Sequence, residues 1–202
     1  MNSSTPPRSA VTHLLYLHGF RSSPNSFKAR VLAQWVQRHQ PAVQWVCPQL
    51  PASPQQAIAL ALSLTRGWPQ ATSAIVGSSL GGFYALWLAR TRGMRSVLLN
   101  PAVHPARDLA SQIGTHPAWH DPSEQVHFQS EFVDELIQLE ASRPPARTDS
   151  LAIIAKGDEV LDWREMLEAC QHGQVVLLEG SDHGISDFES HLPEVISFLG
   201  WD

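Results

Sequence analysis

A serine hydroxyl becomes a useful nucleophile only when a turn holds it clear of the backbone and a base takes its proton. Gly77-Ser78-Ser79-Leu80-Gly81 has the G-x-S-x-G spacing that meets the first requirement. The turn that presents such a serine is too sharp for side chains two positions either way, which explains both glycines. Ser79 is central between them, whereas Ser78 is off-centre. The bland alternative is a glycine-rich turn whose serine only caps the following helix. The second requirement is a base with an acid to orient it, in the chain order Ser, Asp or Glu, then His. Gly157-Asp158 directly follows the apolar run Leu151–Ala155 and supplies the acid. Asp162 is a rival, but with Glu165 three residues on it reads as a helix capping box, and Glu159 is a third candidate. His183, in Gly180-Ser181-Asp182-His183-Gly184, follows the last apolar run and supplies the base. Asp182 adjoins His183 and points away from it, and His191 falls inside the last predicted helix, facing solvent. Acyl transfer also needs two N–H donors for the developing oxyanion. Leu80, the residue after the nucleophile, offers one. Phe20, in His18-Gly19-Phe20 after an early strand, offers the other, with Gly19 allowing close approach.

These residues sit in loops, so the elements beneath must bring them together. Leu14–Leu17, Val43–Cys47, Thr72–Gly77, Ser96–Asn100, Leu151–Ala155 and Val175–Leu178 read as strands. Helical spacing predicts helices over about 25–39, Pro54–Arg66, a segment through Phe83–Leu88 ending near Gly93, Trp163–Cys170 and about Glu189–Leu199. Continuously apolar strands alternating with helices predict a mostly parallel sheet covered on both faces, an α/β fold of about six strands. Ser79, Asp158, His183 and the His18–Phe20 loop then all follow strand ends at the carboxyl edge of one sheet.

The rhythm breaks between the fourth and fifth strands. Residues 102–150, rich in proline and with one clear helix at about Glu131–Ala141, read as a lid-like insertion. Trp119, Phe128 and Phe132 within it are candidates for a substrate pocket, together with Leu136, although packing onto the domain is an equal alternative. Arg21 is a candidate contact for a substrate anion, with a solvated surface arginine the more ordinary reading. Trp35, Trp45 and Trp87 fall on apolar faces and belong to the core. His116 and His120 lie four apart with Pro117 between them, and neither H-E-x-x-H nor paired C-x-x-C occurs, so no metal is expected.

Composition sets the outer bounds. The chain has 202 residues, 43% hydrophobic and 16% charged, the make-up of one ordinary globular domain over 1–202. A net charge of −5 offers no field for gathering nucleic acid or anionic lipid. No apolar run approaches the roughly 18 residues of a membrane span. The polar opening, Met1–Ala10, does not read as a secretory signal. Cys47 and Cys170 are therefore expected as reduced thiols in a cytosolic (cytoplasmic) protein.

Leu15-Tyr16-Leu17-His18-Gly19-Phe20-Arg21-Ser22-Ser23-Pro24 and Val76-Gly77-Ser78-Ser79-Leu80-Gly81-Gly82-Phe83-Tyr84-Ala85 together resemble the small bacterial YqiA-type esterases of the α/β-hydrolase superfamily. Asn100-Pro101-Ala102, Gly157–Asp162 and Gly180–His183 resemble that family's later blocks, so the likeness runs over most of residues 13–200. The resemblance implies a serine hydrolase acting on small to medium acyl esters or thioesters, without a cofactor, with the triad on Ser79, Asp158 and His183. It also implies a sheet lacking the first two strands of the full superfamily fold. The expected partner is a small-molecule ester or thioester. A non-catalytic binding protein on the same fold is the reading from a different class.

Overall fold

The computed structural model describes residues 9–145 and 149–201. Most of the polar opening segment, residues 146–148 of the insertion and residue 202 lie outside the described residues. In chain order the elements are β1 (His13–Leu17), α1 (Phe27–His39), β2 (Gln44–Val46), α2 (Pro54–Leu64), β3 (Ser73–Ser78), α3 (Leu80–Arg92), β4 (Arg95–Leu99) and α4 (Pro105–Leu109). They continue with β5 (Gly114–Pro117), β6 (Gln125–Phe128), α5 (Ser130–Ala141), β7 (Ser150–Ala155), α6 (Trp163–Cys170), β8 (Gln174–Leu178) and α7 (Leu192–Leu199).

Six strands form one sheet in the order β2-β1-β3-β4-β7-β8, with every pairing parallel. Each predicted strand is present within a residue or two of its expected bounds. The sheet is apolar on both faces because both faces are covered. Leu15, Leu17, Ile75, Leu98 and Ile154 pack toward α2, α3, α5 and α6. Leu14, Tyr16, Val76, Val97 and Ile153 pack toward α1 and α7. All ten are 0% exposed, each aliphatic side chain contributing about 1.5–3 kcal/mol by its burial.

Register decides where the loops emerge. Leu17 pairs with Gly77, and Ser78 with Leu99, so β1, β3 and β4 end side by side. Ala155 pairs with Leu178 at the ends of β7 and β8. The four segments carrying the chemistry therefore leave one sheet edge together, as parallel strands require.

Two expectations need correction. The insertion carries more regular structure than its sequence predicts: α4, and an antiparallel hairpin of β5 and β6 registered from Gly114↔Phe128 to Pro117↔Gln125. Strands of four residues, mostly solvent-facing, leave no apolar alternation to read. Pro117 is tolerated there because it ends a strand whose outer side has no partner. The last helix begins later than expected: a 3₁₀ turn, Phe188–His191, precedes α7, with a proline in the first turn. His191 thus stands at the helix cap, its Nε2 3.1 Å from Asp187 Oδ2.

Candidate active site

The strand–turn–helix junction forms as the glycine spacing predicts. A Cβ on Gly77 would lie 2.1 Å from Gly81 O, and one on Gly81 2.1 Å from Leu17 O, so neither position admits a side chain. Ser79 has φ 55° and ψ −122°, a backbone that L-residues adopt only under strain. Four hydrogen bonds hold it there: its N–H donates to Leu99 O at 3.0 Å, and its carbonyl accepts from Gly82, Phe83 and Ala102 N–H. The hydroxyl makes no helix-capping bond. It turns to histidine instead.

His183 Nε2 lies 3.0 Å from Ser79 Oγ, and His183 Nδ1 lies 2.8 Å from Asp158 Oδ2. A carboxylate can only accept, so Nδ1–H donates to Asp158 and Nε2 presents its lone pair to the serine hydroxyl. The Asp158 side chain is fully buried, and its other oxygen accepts from Val160 and Leu161 N–H, both at 2.8 Å. Gly157 brings its loop within contact of the histidine loop; a Cβ there would lie 2.2 Å from Ser181 O.

The rival acids occupy other posts. Asp162 caps α6 by accepting from Arg164 N–H, while Glu165 pairs with Arg107 rather than completing a capping box. Glu159 accepts the His183 backbone N–H at 3.0 Å. Asp182 accepts from the side chain and the N–H of Ser186, and the side-chain bond above all holds its carboxyl below the usual range.

Several supports have no motif to announce them. Asn100, fully buried at φ 43°, donates from Nδ2 to the carbonyls of Asp182 and His183 and accepts Ala155 N–H at Oδ1. One side chain thus ties the ends of β4 and β7 to the histidine loop. Its place in the Asn100-Pro101-Ala102 block was the only available signal. His18 accepts Leu50 N–H at Nε2, which leaves Nδ1–H to donate to Gly19 O and anchors the His18–Phe20 loop. Burial pushes the His18 pKa down, keeping the ring neutral. Lys28 is buried, donates to Gly184 O, and has its pKa pushed down to about 8 by desolvation, against the opposing charges of Asp182 and Asp158.

Leu80 is the first residue of α3, so its N–H has no acceptor within the helix. Gly19 packs against the nucleophile: a Cβ there would lie 3.2 Å from Ser79 Cβ. Phe20 follows it at the rim of the same space. Two clefts reach Ser79. One, of about 640 Å³, runs under α4 and is walled by Ala102, Pro105, Leu109, Val160 and Leu161. The other, of about 280 Å³, runs toward α1. Trp119 lines both and is 69% exposed. Its N–H donates to Arg21 O, and the Arg21 guanidinium stacks 4.0 Å from its ring centroid while donating to Pro117 O. Arg21 therefore fastens the insertion to the loop that follows β1.

Phe128, Phe132 and Leu136 line neither cleft. Phe128 is 1% exposed and packs edge-on against Phe20, with Phe132 behind it. Leu136 is fully buried in the core. The hairpin turns Phe128 inward, which no periodicity in the insertion foretells. His116 and His120 go to different partners, Gln112 O and Glu124. Among the described residues no helix is long and apolar enough to cross a membrane.

The fold is that of the α/β hydrolases. Mouse alpha/beta hydrolase domain-containing protein 10 superposes with a TM-score of 0.71 at 16% identity, covering 95% of this chain and 92% of that one. A structure of metagenome-derived lipolytic enzymes, LipS and LipT, gives 0.70 at 18% identity, covering 96% and 98%. Est1E from Butyrivibrio proteoclasticus with ferulic acid bound gives 0.66 at 12%, covering 98% and 90%. By sequence, a UPF0227 protein of Yersinia enterocolitica is 25% identical over 190 residues, spanning 92% of this chain and 97% of the relative. One from Yersinia pseudotuberculosis is 25% identical over 191 residues, with the same coverage. The model of the uncharacterised protein family UPF0227 matches residues 13–200, the stretch over which the motif blocks resemble YqiA-type proteins, and the chain belongs to that family.

Proposed function

We propose that this protein is a serine hydrolase, a carboxylesterase that cleaves small to medium acyl esters through an acyl-enzyme. The observation that carries the reading is the continuous line from Ser79 Oγ through His183 to Asp158, at 3.0 and 2.8 Å. His183 Nε2 takes the hydroxyl proton as Ser79 Oγ attacks the ester carbonyl carbon. The carbonyl oxygen becomes an oxyanion, held by the N–H groups of Phe20 and Leu80. Asp158 keeps the imidazolium oriented and offsets its charge. Collapse breaks the C–O bond to the alcohol, which leaves with the proton from His183. Water then gives a proton to His183 and attacks the acyl-enzyme carbonyl. As the bond from the acyl carbon to Ser79 Oγ breaks, His183 returns that proton to Oγ, releasing the acid. The strained Ser79 backbone supports this reading over a capping role, because such strain persists where function requires it. Phe128 acts in this scheme by backing Phe20, and Trp119 by walling the clefts.

The protein's fold-mates include proteins described as esterases and lipolytic enzymes, an analogy that suggests the reaction class without assigning it. Labelling with a fluorophosphonate tests the reading directly: the probe attaches to Ser79 in the folded protein and not in Ser79→Ala. Folded protein that resists labelling and turns over no p-nitrophenyl ester belongs instead to a binding module. The same residues serve a thioester with thiolate leaving, so kcat/KM on matched butyryl oxygen ester and butyryl-CoA sorts esterase from thioesterase.

A further inference from the structure

The smaller cleft at Ser79 meets α1 at Ser26, Phe27 and Lys28. Lys28 lies in the first turn of that helix, only 9% exposed. A helix N-terminus carries partial positive charge and does not favour a cation. Burial of an ammonium is costly unless it is paired. Yet among the described residues Lys28 donates to one group, the Gly184 carbonyl, while Asp182 and Asp158 attract its charge without a hydrogen bond to it. Tyr16 Oη and Ser26 Oγ, both buried, face each other at the same cleft, and neither has any further hydrogen-bond partner. Ser26 also fails to cap α1, leaving the first-turn N–H groups open. The opposite wall is Ser79 and His183.

These separate anomalies have one chemical solution. A cation with donors to spare, two hydroxyls and a helix N-terminus converge on a space of about 280 Å³ beside the nucleophile. An apolar substituent would leave them without a further partner, and a cationic one would meet Lys28. We propose that this cleft is an anion subsite in which Lys28, Tyr16 and Ser26 hold a carboxylate carried by the ester bound at Ser79. The substrate class is then a short ester bearing a free carboxylate, on either the acid side (a hemiester) or the alcohol side (an acylated hydroxy acid). This rests on the serine-hydrolase reading for its reaction but not for its binding. Burial pushes the Lys28 pKa down and the charges of Asp182 and Asp158 offset only part of that, which fits a charge not fully compensated. The competing role, that Lys28 only steadies Gly184 and the histidine loop, predicts equal losses on every ester.

The test compares two matched pairs on wild type and Lys28→Met. With the carboxylate on the acid, the pair is 4-nitrophenyl hemiglutarate and 4-nitrophenyl butyrate; on the alcohol, carboxymethyl butyrate and ethyl butyrate. In one pair the anionic-to-neutral ratio of kcat/KM is expected to fall on the order of tenfold to a hundredfold in Lys28→Met. That pair identifies which side carries the anion. A ratio unchanged in both pairs overturns the subsite while hydrolysis of the neutral ester leaves the proposed function standing. Binding gives an independent arm: Ser79→Ala titrated calorimetrically with monomethyl glutarate binds it, and Ser79→Ala/Lys28→Met does not. Binding without turnover of any ester upholds the subsite and removes the esterase reading. Should Lys28→Met fail to fold, Ser26→Ala and Tyr16→Phe read the same ratios, each with a smaller fall, and no fall in either overturns the proposal.

Discussion

Asn100 Nδ2 donates to the backbone carbonyl of His183 at 3.1 Å, so the end of a central strand carries the loop that holds His183. The same amide bonds Asp182 O at 3.0 Å and, through Oδ1, accepts Ala155 N–H at 2.8 Å. Asp158 leaves the sheet just after Ala155, so a single side chain sets the spacing between His183 and Asp158. Its truncation orphans several buried backbone groups, each costing about 1–3 kcal/mol. Asn100→Ala is expected to lower thermal stability and, in protein still folded, to reduce kcat about 10- to 100-fold. Activity per folded molecule at the wild-type level would show that the histidine loop positions itself.

Ser79→Ala should abolish fluorophosphonate labelling and cut kcat by something on the order of 10⁴ to 10⁶. Asp158→Asn should keep the fold and lower kcat by about 10³ to 10⁴, because an amide no longer dictates the tautomer of His183. Activity in both is measured with p-nitrophenyl butyrate. In wild type the rate falls in acid, since an imidazolium has no lone pair for the Ser79 proton.

The strain at Ser79 separates two inactive variants. At φ 55° and ψ −122°, alanine bears the same steric cost as serine, while glycine reaches this region freely. Ser79→Gly should therefore be more stable than Ser79→Ala by about 1 kcal/mol, despite the greater freedom of glycine in the unfolded chain. Denaturant midpoints decide it, and a more stable alanine variant would mean the turn is relaxed.

Two glycines near the site behave oppositely. Gly157→Ala drives a Cβ to 2.2 Å from Ser181 O and should destabilise by about 2 kcal/mol or more while displacing Asp158 from His183. Gly180→Ala meets nothing within 4 Å and should be neutral or stabilising by about 0.4–1 kcal/mol, with activity retained. Paired melting and activity curves check both, and equal behaviour would contradict the close approach of the two loops.

Lys28 gives a pH signature of stability. Burial pushes its pKa down to about 8 in the folded protein from an ordinary value of 10.5. A depressed pKa means the unfolded chain binds more protons between those values, so stability from this residue is present above pH 10.5 and lost as pH falls through about 8. The charge then costs up to about 3 kcal/mol at neutral pH, less what the bond to Gly184 returns. Lys28→Met should melt several degrees higher at pH 7, with the gap narrowing as pH rises from 8 toward 10.5. A variant that melts lower at pH 7, with no narrowing, would show that Lys28 stabilises the fold.

By itself the sequence determined the parallel sheet and singled out Ser79, Asp158 and His183, which the fold brings within hydrogen-bond reach of one another. Apolar runs of the right length admit only strands buried on two faces, and Gly77 and Gly81 are needed only where backbone approaches backbone. These are local constraints, legible because each depends on residues a few positions apart. Tertiary structure decided the rest. Phe128 reads as a pocket residue until the hairpin of β5 and β6 turns it behind Phe20. Glu159, weighed as a rival acid, instead holds the backbone of His183. Asn100 and Lys28 show no spacing that betrays them. Their partners lie 83 and 156 positions away, and only the folded sheet brings a side chain and a carbonyl so far apart in sequence within one hydrogen bond.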